Sequence, residues 1–199
     1  MPTTAPASGA AAVALAVANG GAALLEYAVA CALPAGEAIT VDGRRYEGRL
    51  GLAPHWSERD LSVGDQRWLT ACLLARTNFF GATVTISTRG PSASLSGAVT
   101  RDEAARYAIQ EGAFYGNLWS DPPEAWVCEG DGDASLAARR LRVCGEASGL
   151  DDGFSRCGFR IAGKCADVCA PREHDGAMRR CRGGDATFDE VITVFLERP

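Results

Sequence analysis

The sequence predicts an α+β protein in which a helical N-terminal half packs on a disulfide-stapled, loop-rich antiparallel β region. Apolar side chains recur at helical spacing in two segments of the first 80 residues, and short runs of β-branched and aromatic residues follow them. Six of the eight cysteines lie within residues 128–181. Helices first and strands later in one chain are typical of the α+β class.

The composition is that of an ordinary globular protein. The 199 residues are 47% hydrophobic and 23% charged, and a chain of this length buries a substantial core. The formal net charge is −5, which argues against the strongly basic surface of a nucleic-acid-binding protein and against an electrostatic attraction to anionic membranes. We therefore expect no nucleic-acid partner.

Two helical patterns lie in residues 22–33 and 65–80. In the first, AALLEYAVACAL, the apolar spacing places Cys31 on the buried stripe, before the helix-ending sequence LPAG. In the second, DQRWLTACLLARTNFF, Cys72 lies on the buried stripe and Gly81 occupies the position of a C-terminal cap. Because both cysteines face the core, the simplest pairing is a disulfide between the two helices.

A hairpin and further strands are predicted from residue 38 onward. In AITVDGRRYEGRL, the dipeptide Asp42-Gly43 suits the type I′ turn of a two-residue hairpin. The later strands are ATVTISTRG, EGAFYGNLW, EAWVCEG, LRVC and VITVFLE. PSASLSGAV is typical of a linker, and the capping box from Thr100 to Glu103 begins a short helix that we expect to reach about Gln110.

We expect residues 1–21 to be a flexible Ala/Gly/Thr-rich tail and residues 22–199 to form a single disulfide-stabilised domain. The apolar run AAVALAVANGGAALL has no Lys or Arg before it, so it lacks the charged start of a signal peptide. We interpret the tail as what remains after an export signal has been removed. No stretch reaches the roughly 20 uninterrupted apolar residues of a membrane span, so we expect no transmembrane segment.

The cysteines favour disulfides and an oxidising compartment. An even number of cysteines with only two histidines is typical of a disulfide framework rather than a mixed zinc site. Since disulfides persist outside the cytoplasm, we expect a secreted, periplasmic or cell-surface protein. The sequence leaves the connectivity of the last six open. The eight cysteines are Cys31, Cys72, Cys128, Cys144, Cys157, Cys165, Cys169 and Cys181.

Zinc is the alternative interpretation of these cysteines. In CGFRIAGKCADVCA, residues 157–170, the cysteines have seven and three residues between them, and the chain has no C-x2-C pair of the kind found in structural zinc sites. The spacing of His55 and His174 supports no shared metal site. We therefore expect neither a metal nor a cofactor, and a count of free thiols separates a zinc-bound cytosolic domain from the disulfide framework.

An aromatic-rich stretch is the candidate binding surface. EGAFYGNLW and the following EAWVC place Trp and Tyr beside Asn and Glu, residue types that stack on sugars or form protein–protein hot spots. The alternative is that these strand residues belong to the core. The partner would be another envelope protein or a glycan. The candidate binding residues are Phe114, Tyr115, Asn117, Trp119 and Trp126.

The heptapeptide CAPREHD contains the catalytic candidates. Its His-Asp pair beside cysteines resembles the secreted phospholipases A2. That resemblance implies His174 as the base that activates a water molecule and Asp175 as a calcium ligand. Cys169 lies farther from the histidine than in that family, and Pro171 breaks the helix that carries the pair there. The simpler interpretation is an exposed histidine in a polar loop.

Several phrases spread over residues 22–197 are similar to a group of uncharacterised, cysteine-rich secreted proteins and lipoproteins of myxobacteria. These phrases are LLEYAVACALP, GLAPHW, QRWLTACLLARTNFFG, EGAFYGNLW, CGFRIAGKCADVC and VITVFL. The resemblance implies export and a disulfide framework, and it implies no particular activity.

The sequence therefore predicts a secreted or envelope-associated, disulfide-stabilised protein with a binding or structural role rather than an enzymatic one. The alternative is a calcium-dependent secreted hydrolase of lipid esters that uses His174 and Asp175. A calcium-binding assay and the loss of activity on His174→Ala distinguish this alternative from the binding role.

Overall fold

The computed structural model describes residues 21–76, 83–96, 99–131, 158–171 and 175–198. The described residues combine helices with β-sheets, so the protein is α+β, as the sequence predicts. The chain divides into two compact units, Met1–Leu69 and Thr70–Pro199. The expectation of one domain over residues 22–199 stays a prediction.

Strands outnumber helices among the described elements, so the predicted helical character of the N-terminal half is not confirmed. The helices are α1 (Ala22–Ala32), α2 (Val63–Arg76), α3 (Ala93–Ser96), α4 (Arg101–Arg106) and α5 (Cys165–Val168). The strands are β1 (Ala38–Val41), β2 (Arg44–Glu47), β3 (Ile86–Arg89), β4 (Ile109–Asn117), β5 (Glu124–Glu129), β6 (Arg160–Lys164), β7 (Ala170–Pro171), β8 (Met178–Arg179), β9 (Cys181–Gly183), β10 (Ala186–Phe188) and β11 (Ile192–Leu196).

The end of α1 is covered by the chain that returns to it. The carbonyl oxygens of residues 30–33 accept hydrogen bonds of 2.9–3.2 Å from the backbone N–H groups of residues 49–53. These are the carbonyls that a helix leaves without intrahelical partners. The approach is close enough that a Cβ on Gly48 would overlap the carbonyl oxygen of Pro34, which explains the glycine.

The predicted hairpin between β1 and β2 is present. Val41 pairs with Arg44, and the two residues between them, Asp42 and Gly43, have φ angles of 50° and 78°. Positive φ at both central positions defines the type I′ turn, which is why the dipeptide predicted it.

Helix α2 begins slightly before residue 65, where the sequence pattern places its start. The Ser62 Oγ accepts a hydrogen bond from the Asp65 N–H at 3.2 Å, and the Ser62 N–H donates to the Asp65 carboxylate at 3.0 Å. This reciprocal pair is a capping box with Asp in the place of Glu. Cys72 is buried in α2, and residues 77–82, which include Gly81, lie outside the described residues.

A five-stranded sheet of order β3-β11-β4-β5-β6 forms the centre of the second unit. Its pairs are antiparallel except β5–β6, which are parallel, so the prediction of an antiparallel region needs correction at this edge. The predicted strand LRVC lies outside the described residues.

Two local predictions around residue 100 need correction. The segment expected to be a linker contains α3, and the capped helix ends at Arg106 instead of reaching Gln110. The cap itself is present, since Thr100 Oγ1 accepts a 3.1 Å hydrogen bond from the Glu103 N–H. The helix ends early because Ile109 and Gln110 pair with β11 as the start of β4.

Apolar side chains cover both faces of the sheet. On one face, Phe114 pairs with Val127 and Ile192 and meets the ring of Phe159 at 6.0 Å. The other face bears a cluster that joins the sheet to α5 and the C-terminal strands. Its buried members are Ala113, Tyr115, Cys128, Cys165, Met178, Cys181, Phe188 and Val191.

Arg89 links β3 to three other segments of the second unit. Its guanidinium donates to Ser87 Oγ at 3.2 Å and to the carbonyl oxygens of Tyr107 and Asp175 at 2.9 and 2.8 Å, and it lies 3.8 Å from the centre of the Phe195 ring. Burial lowers the pKa of Arg89, whereas the charges of Glu103 and Asp175 raise it. The Arg89 side chain thus supplies hydrogen-bond donors to the backbone carbonyl oxygens of Tyr107 and Asp175.

We predict that Arg89→Met lowers the free energy of unfolding by about 2–4 kcal/mol, because buried carbonyl groups lose charged donors while the side-chain volume is kept. Urea denaturation measures the change. The control is Arg59→Met at an exposed arginine, which should change stability by less than about 0.5 kcal/mol. Equal effects of the two substitutions would contradict the role of Arg89.

Candidate functional site

The turn between β4 and β5, residues 118–123, is held in shape by hydrogen bonds. Asn117 is buried, and its Oδ1 accepts from the Trp119 N–H at 2.8 Å. Ser120 Oγ lies 2.7 Å from the Asn117 carbonyl oxygen and 2.9 Å from that of Pro122. The Leu118 N–H donates to Thr70 Oγ1, on α2, at 2.9 Å.

This turn presents apolar side chains to solvent. Leu118 is 38% exposed and Trp119 is half-buried, whereas Thr70 beneath the turn is fully buried. We call Leu118 and Trp119 the apolar pair of the turn. The hydrogen bonds therefore fix the backbone that carries these two side chains.

The predicted binding residues separate into two groups. Phe114 and Tyr115 are fully buried, so a partner at the surface cannot reach them. These two residues are core residues rather than part of the predicted binding surface. They are buried because β4 is covered on both faces. Asn117 is also buried and shapes the turn. Trp119 and Trp126 are half-buried, and their role in binding stays a prediction.

Trp126 is mainly a packing residue. It lies opposite Tyr115 on one side and Arg160 on the other, and the Arg160 guanidinium is 5.3 Å from its ring centre. A Cβ on Gly183 would come within 2.7 Å of the ring, so the indole rests directly on the backbone of β9. A binding partner could contact only the part of the indole ring that these residues leave exposed.

Tyr115 joins the sheet to β9. Its hydroxyl donates to the Arg182 carbonyl oxygen at 2.8 Å, and its ring lies 5.5 Å from that of Phe188. Burial raises the pKa of Tyr115 because the phenolate would lose its hydration.

Two disulfides lie beside these contacts. Cys128 bonds to Cys165, and Cys169 bonds to Cys181. The Sγ atoms of Cys128, Cys165 and Cys169 all lie within 4.8 Å of one another, but as disulfide sulfurs they are not the thiolates that bind metals.

The remaining cysteines belong to other parts of the chain. Cys31 and Cys72 are each disulfide-bonded, and the described residues contain no free cysteine. Cys144 and Cys157 lie outside the described residues. Six of the eight cysteines that the sequence assigns to disulfides are therefore bonded in this way.

Of the two catalytic candidates, the structure describes Asp175, whose negative charge acts on the Arg89 guanidinium. His174 lies outside the described residues. Asp175 Oδ1 accepts a hydrogen bond from the Ala177 N–H at 3.0 Å, and the Asp175 carbonyl oxygen accepts from Arg89. His55 is exposed, with Nδ1 3.5 Å from the Glu58 carboxylate in the same turn.

Comparison with protein families, with curated proteins and with solved structures finds no match to this chain. Among the described residues, no helix is long and apolar enough to cross a membrane. The fold and the bonded cysteines together define the class: a disulfide-stabilised α+β protein.

Sequence reasoning missed the residues that shape the site. Thr70 and Gly183 act through contacts with segments distant in the chain, and nothing local marks them. The one local signal was Asn117, a residue type that often bonds to the backbone two residues on.

We predict that Tyr115→Phe lowers the free energy of unfolding by about 0.5–1.5 kcal/mol at neutral pH, through the lost hydrogen bond. Above about pH 10 the unfolded tyrosine ionises while the folded one stays protonated, so the wild type loses stability as pH rises. The difference in the free energy of unfolding between wild type and Tyr115→Phe should therefore decrease, by up to about 1.4 kcal/mol per pH unit.

Urea denaturation at several pH values between 8 and about 11 measures this difference. Tyr27→Phe, at an exposed tyrosine of α1, is the control and should leave the curves unchanged. A difference that is independent of pH would contradict the assigned effect of burial.

Proposed function

We propose that the protein is an exported binding protein of the cell envelope or the extracellular space, which contacts a protein partner through the apolar pair of the β4–β5 turn. The observation that carries this proposal is the exposed Leu118 beside Trp119 on a backbone fixed by Asn117, Ser120 and Thr70.

The disulfides support export. Six described cysteines are bonded, and structural disulfides persist in oxidising compartments. We propose that the sequence phrases similar to those of secreted myxobacterial proteins and lipoproteins reflect the same compartment.

The fixed turn supports binding. Association costs free energy for each side chain or loop that it orders, so a turn that is already ordered binds at a lower cost. Trp is one of the residue types that contribute most to protein–protein contacts, and an apolar neighbour such as Leu118 extends the surface that excludes water.

A protein partner fits this turn better than a glycan. Sugar hydroxyls need polar side chains to hydrogen-bond, and two polar side chains here, Asn117 and Ser120, already bond to the turn itself. The contacts of Asp175 give no support to calcium-dependent hydrolysis, so we do not propose it.

We predict that a photoreactive phenylalanine analogue at position 118 forms one discrete cross-linked product with the envelope or secreted proteins of the native source. Excess unlabelled wild-type protein should compete for this product. Leu118→Asp should fail to compete, because a charge at the centre of the apolar pair opposes its burial.

The matched control is Leu24, which is 42% exposed on α1. The analogue at position 24 should give no such product, and Leu24→Asp should compete as well as wild type. Competition by Leu118→Asp would contradict the proposed surface. Binding to a glycan array without a protein cross-link would contradict a protein partner and indicate a glycan instead.

A further inference from the structure

The Cys128–Cys165 and Cys169–Cys181 disulfides touch each other. Cys128 Sγ, of the Cys128–Cys165 bridge, lies 3.5 Å from Cys169 Sγ, of the Cys169–Cys181 bridge. A sulfur of one bridge is thus in van der Waals contact with a sulfur of the other. Thiol–disulfide exchange needs this proximity, because a thiolate attacks a disulfide sulfur directly.

The four sulfurs differ in access to solvent. Cys128, Cys165 and Cys181 are buried, whereas Cys169 is half-buried and so is the most open of the four to a thiol from solvent. Attack on Cys169 releases Cys181 as the leaving thiolate.

We propose that this pair of bridges is a redox-active site, at which a dithiol reacts with Cys169 and the bridges rearrange to a single Cys128–Cys169 disulfide. The substrate class is a dithiol, as a small molecule or as a pair of cysteines in another protein. The site is independent of the proposed binding surface.

The exchange proceeds in three balanced steps. A thiolate of the dithiol attacks Cys169 Sγ, which forms a mixed disulfide and releases Cys181 as a thiolate that takes up a proton. The second thiol of the dithiol then attacks the dithiol sulfur that is bonded to Cys169. An intramolecular disulfide forms in the dithiol, and Cys169 is released as a thiolate. Cys169 attacks Cys128, the Cys128–Cys169 bond forms, and Cys165 leaves and is protonated.

The net reaction transfers two electrons and two protons from the dithiol to the protein. It leaves thiols at Cys165 and Cys181 and one bridge in place of two. The last step moves the thiol from the half-buried Cys169 to the buried Cys165, and the sheet stays linked to the segment after α5 through the new bridge.

Two variants test the rearrangement without a reductant in excess. Cys181→Ser leaves Cys169 without its bridge partner, and Cys165→Ser leaves Cys128 without its partner. Each protein is incubated near pH 8 with a trace of thiol, quenched in acid, alkylated in denaturant and digested for mass spectrometry. In both variants we expect a Cys128–Cys169 bridge, with the alkyl label on Cys165 in the first and on Cys181 in the second.

The control is Cys31→Ser, which frees a cysteine outside the two bridges and should give no Cys128–Cys169 bridge. In the wild type, one equivalent of dithiothreitol should place the label on Cys165 and Cys181. Labels confined to Cys169 in the Cys181→Ser protein and to Cys128 in the Cys165→Ser protein would overturn the proposal. So would labels on Cys169 and Cys181 alone in the wild type.

Discussion

The covalent path from β5 through α5 to β9 is the constraint on which the second unit depends. Strands β7 and β8 have two residues each, and β9 and β10 have three, which is too short for independent stability. One bridge attaches the start of α5 to the sheet, and the other attaches the residue after α5 to β9. With sequence separations of 37 and 12 residues, they contribute about 4 and 3 kcal/mol in the chain-entropy model.

Hydrogen bonds from polar side chains also attach the C-terminal segments to the sheet. Tyr115 holds β9 through the Arg182 carbonyl, and Thr193 on β11 accepts the Met178 N–H at 2.7 Å. Arg89 holds the chain at Asp175. Each bond joins a short C-terminal segment to a strand of the five-stranded sheet, so the region is ordered by its attachment to this sheet rather than by its own hydrogen-bond ladder.

Local patterns could be predicted from the sequence, and contacts between distant residues could not. Helix α1 and the Asp42-Gly43 hairpin follow from spacing and turn chemistry within a few residues. Strands β7 to β10 are too short for any periodic pattern. The aromatic run of β4 was ambiguous because a strand buried on both faces shows no alternation, and this ambiguity placed Phe114 and Tyr115 in the candidate surface.

The candidate site divides in the same way. Trp119 was identified from the aromatic-rich sequence around it. Its proposed role in binding depends on a turn that is fixed by Thr70, which lies on a helix distant in the chain. The cysteine count predicted a framework, whereas the contact between two bridges required the fold. Sequence reasoning therefore identifies residue types, and the structure decides which of them reach solvent.

Hydrogen exchange on a variant with Ser in place of all four bridged cysteines of this path, 128, 165, 169 and 181, tests the central constraint most directly. Cys31 and Cys72 stay unchanged in it. We expect the backbone amides of residues 178–188 to exchange much faster than in the wild type, while those of β4 and β11 stay protected. Unchanged protection of residues 178–188 would show that the packing alone orders this region and would contradict the account.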